Sequence, residues 1–269
     1  MLKAESLFSL EGKTVLLTGA SGHLGKKIAE TVLTNGAKLI AMGRSLIRTH
    51  ACVEKWRDRY GNKHVDPVQV DMYDLPELAK VLDYLVGMGP IDVLINNAHD
   101  LNEAAGFNTP SGTIENATPE QWDKHFAAVH WAAMTTQKIG AGMKDRGRGS
   151  IINISTMYAE VAPNPQLYEG TEFMNPPGYS AAKAALLALT RYTASFWGPH
   201  GIRANAILPG PFPKDVQNPT FLKRLKERTC LRRVGKPQDL AGVLLFLASD
   251  ASSYVTGQAI SVDGGWAVT

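Results

Sequence analysis

Thr14-Val15-Leu16-Leu17-Thr18-Gly19-Ala20-Ser21-Gly22-His23-Leu24-Gly25 is the stretch on which the fold turns. A short apolar run, Lys13 to Thr18, stops at glycines, and Ile28, Ala29, Val32 and Leu33 then recur at helical spacing. Strand, glycine turn and helix, in that order, form the unit a dinucleotide site requires. The glycines allow a tight turn and close backbone approach, and the helix N-terminus offers amides and partial positive charge to a pyrophosphate. Gly19, Ser21, Gly22, His23, Leu24 and Gly25 are therefore candidate cofactor-binding residues. A glycine-rich turn alone is often only a loop, so the weight rests on its place in this unit.

The next apolar run, residues 37–42, ends in Gly43-Arg44-Ser45. The end of that strand would face the adenosine ribose, where an acid takes the 2′-hydroxyl and an arginine pairs with a 2′-phosphate. No acid stands there and Arg44 does, so NADP(H) is expected over NAD(H), the alternative being that Arg44 is a solvated strand-end residue. His23 would add a polar contact near the same phosphate. A helix over 47–60, a strand over 65–70 closed by Asp71, a helix over 75–86 and a strand over 91–95 follow. This alternation predicts an α/β fold, a doubly wound parallel sheet of about seven strands with helices on both faces. Ligands gather at the carboxyl ends of such strands, which brings in Asp71, Met72 and Asn97, although asparagine there is equally a turn former.

Residues 99–118 read as a polar, glycine-rich loop, and Thr118-Pro119 as the cap and first residue of a helix reaching about Met143. An apolar strand, Ile151-Ile152-Asn153-Ile154, ends at Ser155, and a later helix opens with Tyr179-Ser180-Ala181-Ala182-Lys183. A strand over 202–208 is broken by Pro209-Gly210-Pro211, both Pro209 and Gly210 being cofactor candidates. A segment over 211–232 carries a basic helix, 221–228, and reads as a substrate lid. A helix over 240–248 and a strand over 258–262 close the chain. No internal repeat or linker divides it, so residues 1–269 read as one NAD(P)-binding domain.

With 269 residues and 44% hydrophobic content the chain can bury a full core. A net charge of +3 with scattered basic residues argues against a nucleic-acid partner. Two cysteines, Cys52 and Cys230, give neither a disulfide framework nor metal-ligand spacing, so no metal and a reducing cytoplasm are expected. No run approaches the ~18 apolar residues of a membrane span.

Tyr179 and Lys183 stand four apart, so on a helix they share one face. A tyrosine titrates at about 10, and a nearby ammonium is expected to lower that value toward working pH. Tyr179 would then exchange a proton with a substrate oxygen that Ser155, at the end of a neighbouring strand, holds. Tyr-x-x-x-Lys alone arises by chance in many helices, so this reading needs the rest of the chain.

Thr18-Gly19 to Gly25, Asn96-Asn97-Ala98, Ser155, Tyr179-x-x-x-Lys183, Pro209-Gly210 and Tyr254-Val255-Thr256-Gly257-Gln258 to Asp263-Gly264-Gly265 resemble, in order and nearly in spacing, the short-chain dehydrogenase/reductases. The resemblance spans essentially the whole chain and implies a single-domain Rossmann fold. It implies that Tyr179 is the acid/base, that Ser155 holds the substrate oxygen, and that Lys183 binds the nicotinamide ribose and lowers the tyrosine pKa. It further implies assembly as a homotetramer or homodimer, for which the face Ala181, Ala184, Ala185 and Ala188 would suit close packing, although it could equally pack within one subunit.

The chain also departs from the family. Its glycine turn is spaced Gly-x-x-Gly-x-x-Gly, His99 replaces the glycine usual after Asn-Asn-Ala, and Lys214 stands about where a threonine usually touches the cofactor. No asparagine lies between Glu120 and Met134, where a fourth catalytic residue is expected, and His130 is the nearest polar candidate. Ser155 and Tyr179 are 24 positions apart (179 − 155), about twice the family's usual separation. Tyr168 sits at the usual spacing but has Glu172 where the lysine is required, so it is expected to touch substrate rather than to catalyse. The inserted residues 157–178 must border the substrate. They resemble an insertion in a subgroup labelled 3-oxoacyl-carrier-protein reductase but encoded among surface-sugar genes, which implies a polyhydroxylated or sugar-derived small molecule. A 3-oxoacyl-carrier-protein reductase, with its acidic partner docked on Lys223, Arg224, Lys226 and Arg228, and a non-catalytic cofactor-sensing regulator are the alternatives.

Overall fold

In the computed structural model, which describes residues 3–61, 64–214 and 218–269, a short helix α1 (Ala4–Phe8) leads into β1 (Thr14–Thr18). Val15 and Leu17 point to one face of β1 and Leu16 to the other, as strand alternation requires. All three are fully buried, so both faces of the strand must be covered. Val15 and Leu17 pack with Ile28 and Val32 of α2 (His23–Thr34), while Leu16 packs with the opposite core.

β1 is flanked by β2 (Lys38–Gly43) and β4 (Val93–Asn96), both parallel to it. With β3 (Val65–Gln69), β5 (Gly149–Ile154), β6 (Ile202–Pro209) and β7 (Ala259–Val262) they form one seven-stranded sheet in the order β3-β2-β1-β4-β5-β6-β7. Every pairing is parallel. Continuous buried runs, such as five of six residues of β2, are what a parallel sheet covered on both faces produces. α3 (Leu46–Tyr60) shares the α2 face through Val53 and Trp56. On the other face lie α4 (Leu75–Met88) and α5 (Pro119–Arg146), with α6 (Pro177–Trp197) beside α5. The strand order reverses between β1 and β4, and the carboxyl ends there form the crevice in which open α/β sheets bind ligands.

Local signals set the helix ends. Thr118 and Gln121 form a reciprocal capping box at the start of α5. α6 begins two residues before the expected Tyr179, because Pro176 supplies extended backbone and Pro177 fits the first helical position. β4 starts at Val93 rather than 91, since the Asp92 carboxylate accepts the Thr14 amide at 3.0 Å.

Residues 157–178 hold two 3-10 turns, Met157–Ala159 and Pro165–Tyr168, and share a small core with α7 (Pro219–Arg228) and the C-terminal Trp266. Arg224 of α7 donates to the carbonyls of Leu167, at 3.2 Å, and of Glu169. Residues 215–217 of the expected lid lie outside the described residues. The chain ends through α8 (Ala241–Ala248) and β7. Among the described residues no helix is long and apolar enough to cross a membrane.

Candidate active site

A cavity of about 740 Å³ opens at the carboxyl ends of the strands around the β1/β4 reversal. Gly19, Ser21, Gly22, His23, Leu24 and Gly25 line it, as do Arg44, Asp71, Met72, Asn97, Ser155, Tyr179, Lys183, Pro209 and Gly210. Residues spread over nearly 200 positions thus share one space.

The glycine turn is built for an approaching backbone or ligand. Gly19 has φ +66, and a Cβ there would lie 3.0 Å from the Ala98 Cα. At Gly25 a Cβ would come within 2.2 Å of the Gly19 carbonyl oxygen, so α2 sits against the turn at a distance only glycine permits. No side chain caps α2, whose N-cap is Gly22, and its first residues, His23, Leu24 and Gly25, line the cavity. An uncapped helix start beside a glycine turn fits a pyrophosphate. The Asn97 amide is spent on the carbonyls of Thr18 and Gly19, at 3.1 Å each, and so clamps the end of β1 to the segment after β4. At the far side a Cβ on Gly210 would strike the Asp263 Cα at 2.5 Å.

Tyr179 and Lys183 lie one turn apart on α6, with the Lys183 Nζ 5.8 Å from the centre of the phenol ring. Lys183 is 3% exposed and its Nζ donates to the Ile154 carbonyl at 2.8 Å. Burial pushes the lysine pKa down to about 7. The phenol moves the other way: burial pushes Tyr179 up to about 12, although a hydrogen bond with the Thr156 side chain pulls it down. The expectation that Lys183 lowers the tyrosine pKa is therefore corrected. Desolvation penalises both charged forms, and the ammonium is engaged with a backbone carbonyl.

Ser155 follows directly after β5 and lines the cavity. Its hydroxyl, buried, donates to the Lys183 carbonyl at 2.8 Å, fastening the end of β5 to α6. The side chain that meets the Tyr179 phenol is the next one, Thr156. Tyr168 lies outside the cavity lining, its phenol oxygen 3.3 Å from that of Tyr158, in the small core that packs against Tyr179. The carboxylate residues of the insertion, Glu160, Glu169 and Glu172, are exposed.

His99, in the family's glycine position, packs edge-on against the Tyr179 ring with centres 5.0 Å apart. Its Nε2 lies 3.1 Å from Nδ1 of His125, one face of α5 thus reaching the site. Burial holds both imidazoles below the usual histidine range, with Lys183 adding to the effect. His130, the expected candidate on this helix, is exposed and does not line the cavity. Sequence reasoning also passed over Tyr73 and Asp100. Arg44 Nη1 is 3.1 Å from an Asp100 oxygen that also accepts from the Tyr73 hydroxyl at 3.0 Å. Among the described residues no cluster of three or more potential metal ligands occurs.

Residues 19–267 match the family described as enoyl-(acyl carrier protein) reductase. The chain is 34% identical to a sorbose reductase of Schizosaccharomyces pombe, covering 97% of this chain and 98% of that protein. It is 32% identical to gluconate 5-dehydrogenase of Gluconobacter oxydans, covering 98% of each. Among solved structures, a gluconate 5-dehydrogenase from Burkholderia cenocepacia in complex with NADP and tartrate superposes with a TM-score of 0.85 at 27% identity, over 99% of this chain and 100% of that one. With the sheet order, the glycine turn and the Tyr179/Lys183 pair all in place, these full-length matches show that the chain belongs to the short-chain dehydrogenase/reductases, oxidoreductases that act on CH–OH groups.

Proposed function

We propose that the protein interconverts a ketone and a secondary alcohol with NADP(H), on a polyhydroxylated or sugar-derived substrate. The observation that carries this reading is that Thr156, Tyr179 and Lys183 line one cavity with the glycine turn. The dinucleotide, when bound, supplies or accepts the hydride. The amides of Gly19 to Gly25 would hold its pyrophosphate, Arg44 its 2′-phosphate, Asp71, Met72 and Asn97 its adenosine half, and Lys183, Pro209 and Gly210 its nicotinamide half.

Tyr179, kept neutral at working pH by burial, donates its proton to the carbonyl oxygen during reduction. The Thr156 hydroxyl holds the same oxygen, where negative charge gathers. Ser155 does not compete for that role, because its hydroxyl is committed to the Lys183 carbonyl.

One observation supports the substrate class. The relatives are named for a ketose, a sugar acid and their reduction or oxidation, and the B. cenocepacia structure is described with tartrate, a small hydroxylated acid. Ketoses, keto-sugar acids and 3-oxoacyl thioesters assayed with NADPH and with NADH test the reading. Turnover on a ketose or keto-acid with NADPH is the expected result. Turnover confined to the acyl thioester would establish the carrier-protein reductase instead, and binding of dinucleotide without any turnover would establish the regulator.

A further inference from the structure

Arg44 does not stand free at the cofactor cavity. Its Nη1 is paired with Asp100 at 3.1 Å, and the same carboxylate oxygen accepts from the Tyr73 hydroxyl at 3.0 Å. The other oxygen of Asp100 accepts from the Asn102 amide at 2.9 Å. The cluster therefore ties together the segments that follow β2, β3 and β4. All four residues line the cavity.

The two partners are not equally free to move. The Asp100 side chain is 13% exposed and held by three donors, whereas the Arg44 side chain is 46% exposed. Arg44 also lies 5.9 Å from the centre of the Tyr73 ring, whose other cationic neighbour is Lys124 at 5.2 Å. Asp100 is thus a fixed anion, and the arginine is the member that can turn to a ligand. A guanidinium binds phosphate and carboxylate by the same planar fork, so the two compete for it. A dianionic 2′-phosphate brought to Arg44 must also sit close to the fixed carboxylate, and like charges repel.

We propose that Asp100 sets cofactor choice by holding Arg44, restraining the affinity for NADP(H) while leaving that for NAD(H) nearly unchanged. This rests on the dinucleotide reading of the cavity, and it makes Asp100 a positioning residue that acts through Arg44. Its acidic neighbour lies 56 positions away in the chain, which is why the strand-end rule that singled out Arg44 does not register it.

The test is direct binding of NADPH and NADH to the purified protein, followed by quenching of protein fluorescence, for the wild type and for Asp100→Asn, Asp100→Glu and Arg44→Ala/Asp100→Asn. Asp100→Asn keeps the shape and removes the charge. It should tighten NADPH by about two- to fivefold, the range expected for loss of a partly exposed charge pair, and change NADH by less than about 1.5-fold. Asp100→Glu should return the ratio toward the wild type. In the Arg44→Ala background Asp100→Asn should no longer alter the ratio. A merely structural role would move both dinucleotides together, and that outcome, or a weaker NADPH complex in Asp100→Asn, overturns the proposal. Failure of the wild type to bind either dinucleotide overturns this proposal and the reading of the cavity together, whereas normal binding with an unchanged ratio overturns this proposal alone.

Discussion

The Ser155 hydroxyl donates to the backbone carbonyl of Lys183 across 2.8 Å, which leaves the neighbouring Thr156 side chain to meet the Tyr179 phenol. Thr156→Val removes that hydroxyl while keeping the branched shape. Turnover should fall by roughly 10²- to 10³-fold, in the range for one positioned donor, and Thr156→Ser should restore it to within a few-fold. Ser155→Ala should instead lower stability by about 1 kcal/mol, the net worth of one buried hydrogen bond, with turnover kept within a few-fold. Steady-state kinetics and thermal melts of the three variants decide between the two hydroxyls.

That distinction marks where the sequence ceases to be legible. The apolar runs, the glycine turn and the capping residues each act over a few positions, so the order and type of the major elements can be read from local pattern alone. At the end of β5 the alternation of side chains ends with the strand, and nothing local says which of two adjacent hydroxyls turns to the cavity. Histidines 99 and 125 meet across 26 positions, and Arg44 meets Asp100 across 56, through the way β2, β4 and α5 are assembled. The direction of the Tyr179 and Lys183 pKa shifts was likewise hidden, because spacing reports that two groups are close and not how far the fold buries each of them.

Lys183 carries a pH signature of its own. Its pKa is pushed down to about 7 in the folded protein from the 10.5 of an unburied lysine, so folding is opposed by the charged form. The penalty is fully present below about pH 7 and disappears as pH rises through the unfolded value near 10.4. Lys183→Met, free of cofactor, should therefore melt higher than the wild type at pH 6 to 7, with a gap of at most about 5 kcal/mol that closes toward pH 10. Melting temperatures of both proteins across this range check the sign. A gap that widens with pH would contradict the burial of the ammonium.

Gly25 is predicted to be irreplaceable for cofactor binding. A Cβ there meets the Gly19 carbonyl oxygen at 2.2 Å and the Ala20 oxygen at 2.9 Å, both fixed backbone atoms. Gly25→Ala must push α2 off the turn. NADPH affinity should fall at least tenfold, or about 1.4 kcal/mol, as titration calorimetry would read directly.

Arg224 links α7 to the insertion through the carbonyls of Leu167 and Glu169. Arg224→Ala should loosen residues 157–178 over the site, raising KM for the substrate several-fold while leaving NADPH binding as it was. An unchanged KM would mean that the insertion does not shape the substrate site.

The central claim is that Tyr179 carries the proton, and Tyr179→Phe tests it most directly because it deletes one hydroxyl and keeps the ring. Turnover of Tyr179→Phe with NADPH and the best ketone of the substrate panel, measured beside Tyr168→Phe and with NADPH binding as the control, should fall by at least ~10²-fold with binding intact, while Tyr168→Phe stays within a few-fold. Retention of turnover by Tyr179→Phe, with the loss falling on Tyr168→Phe instead, would contradict the account.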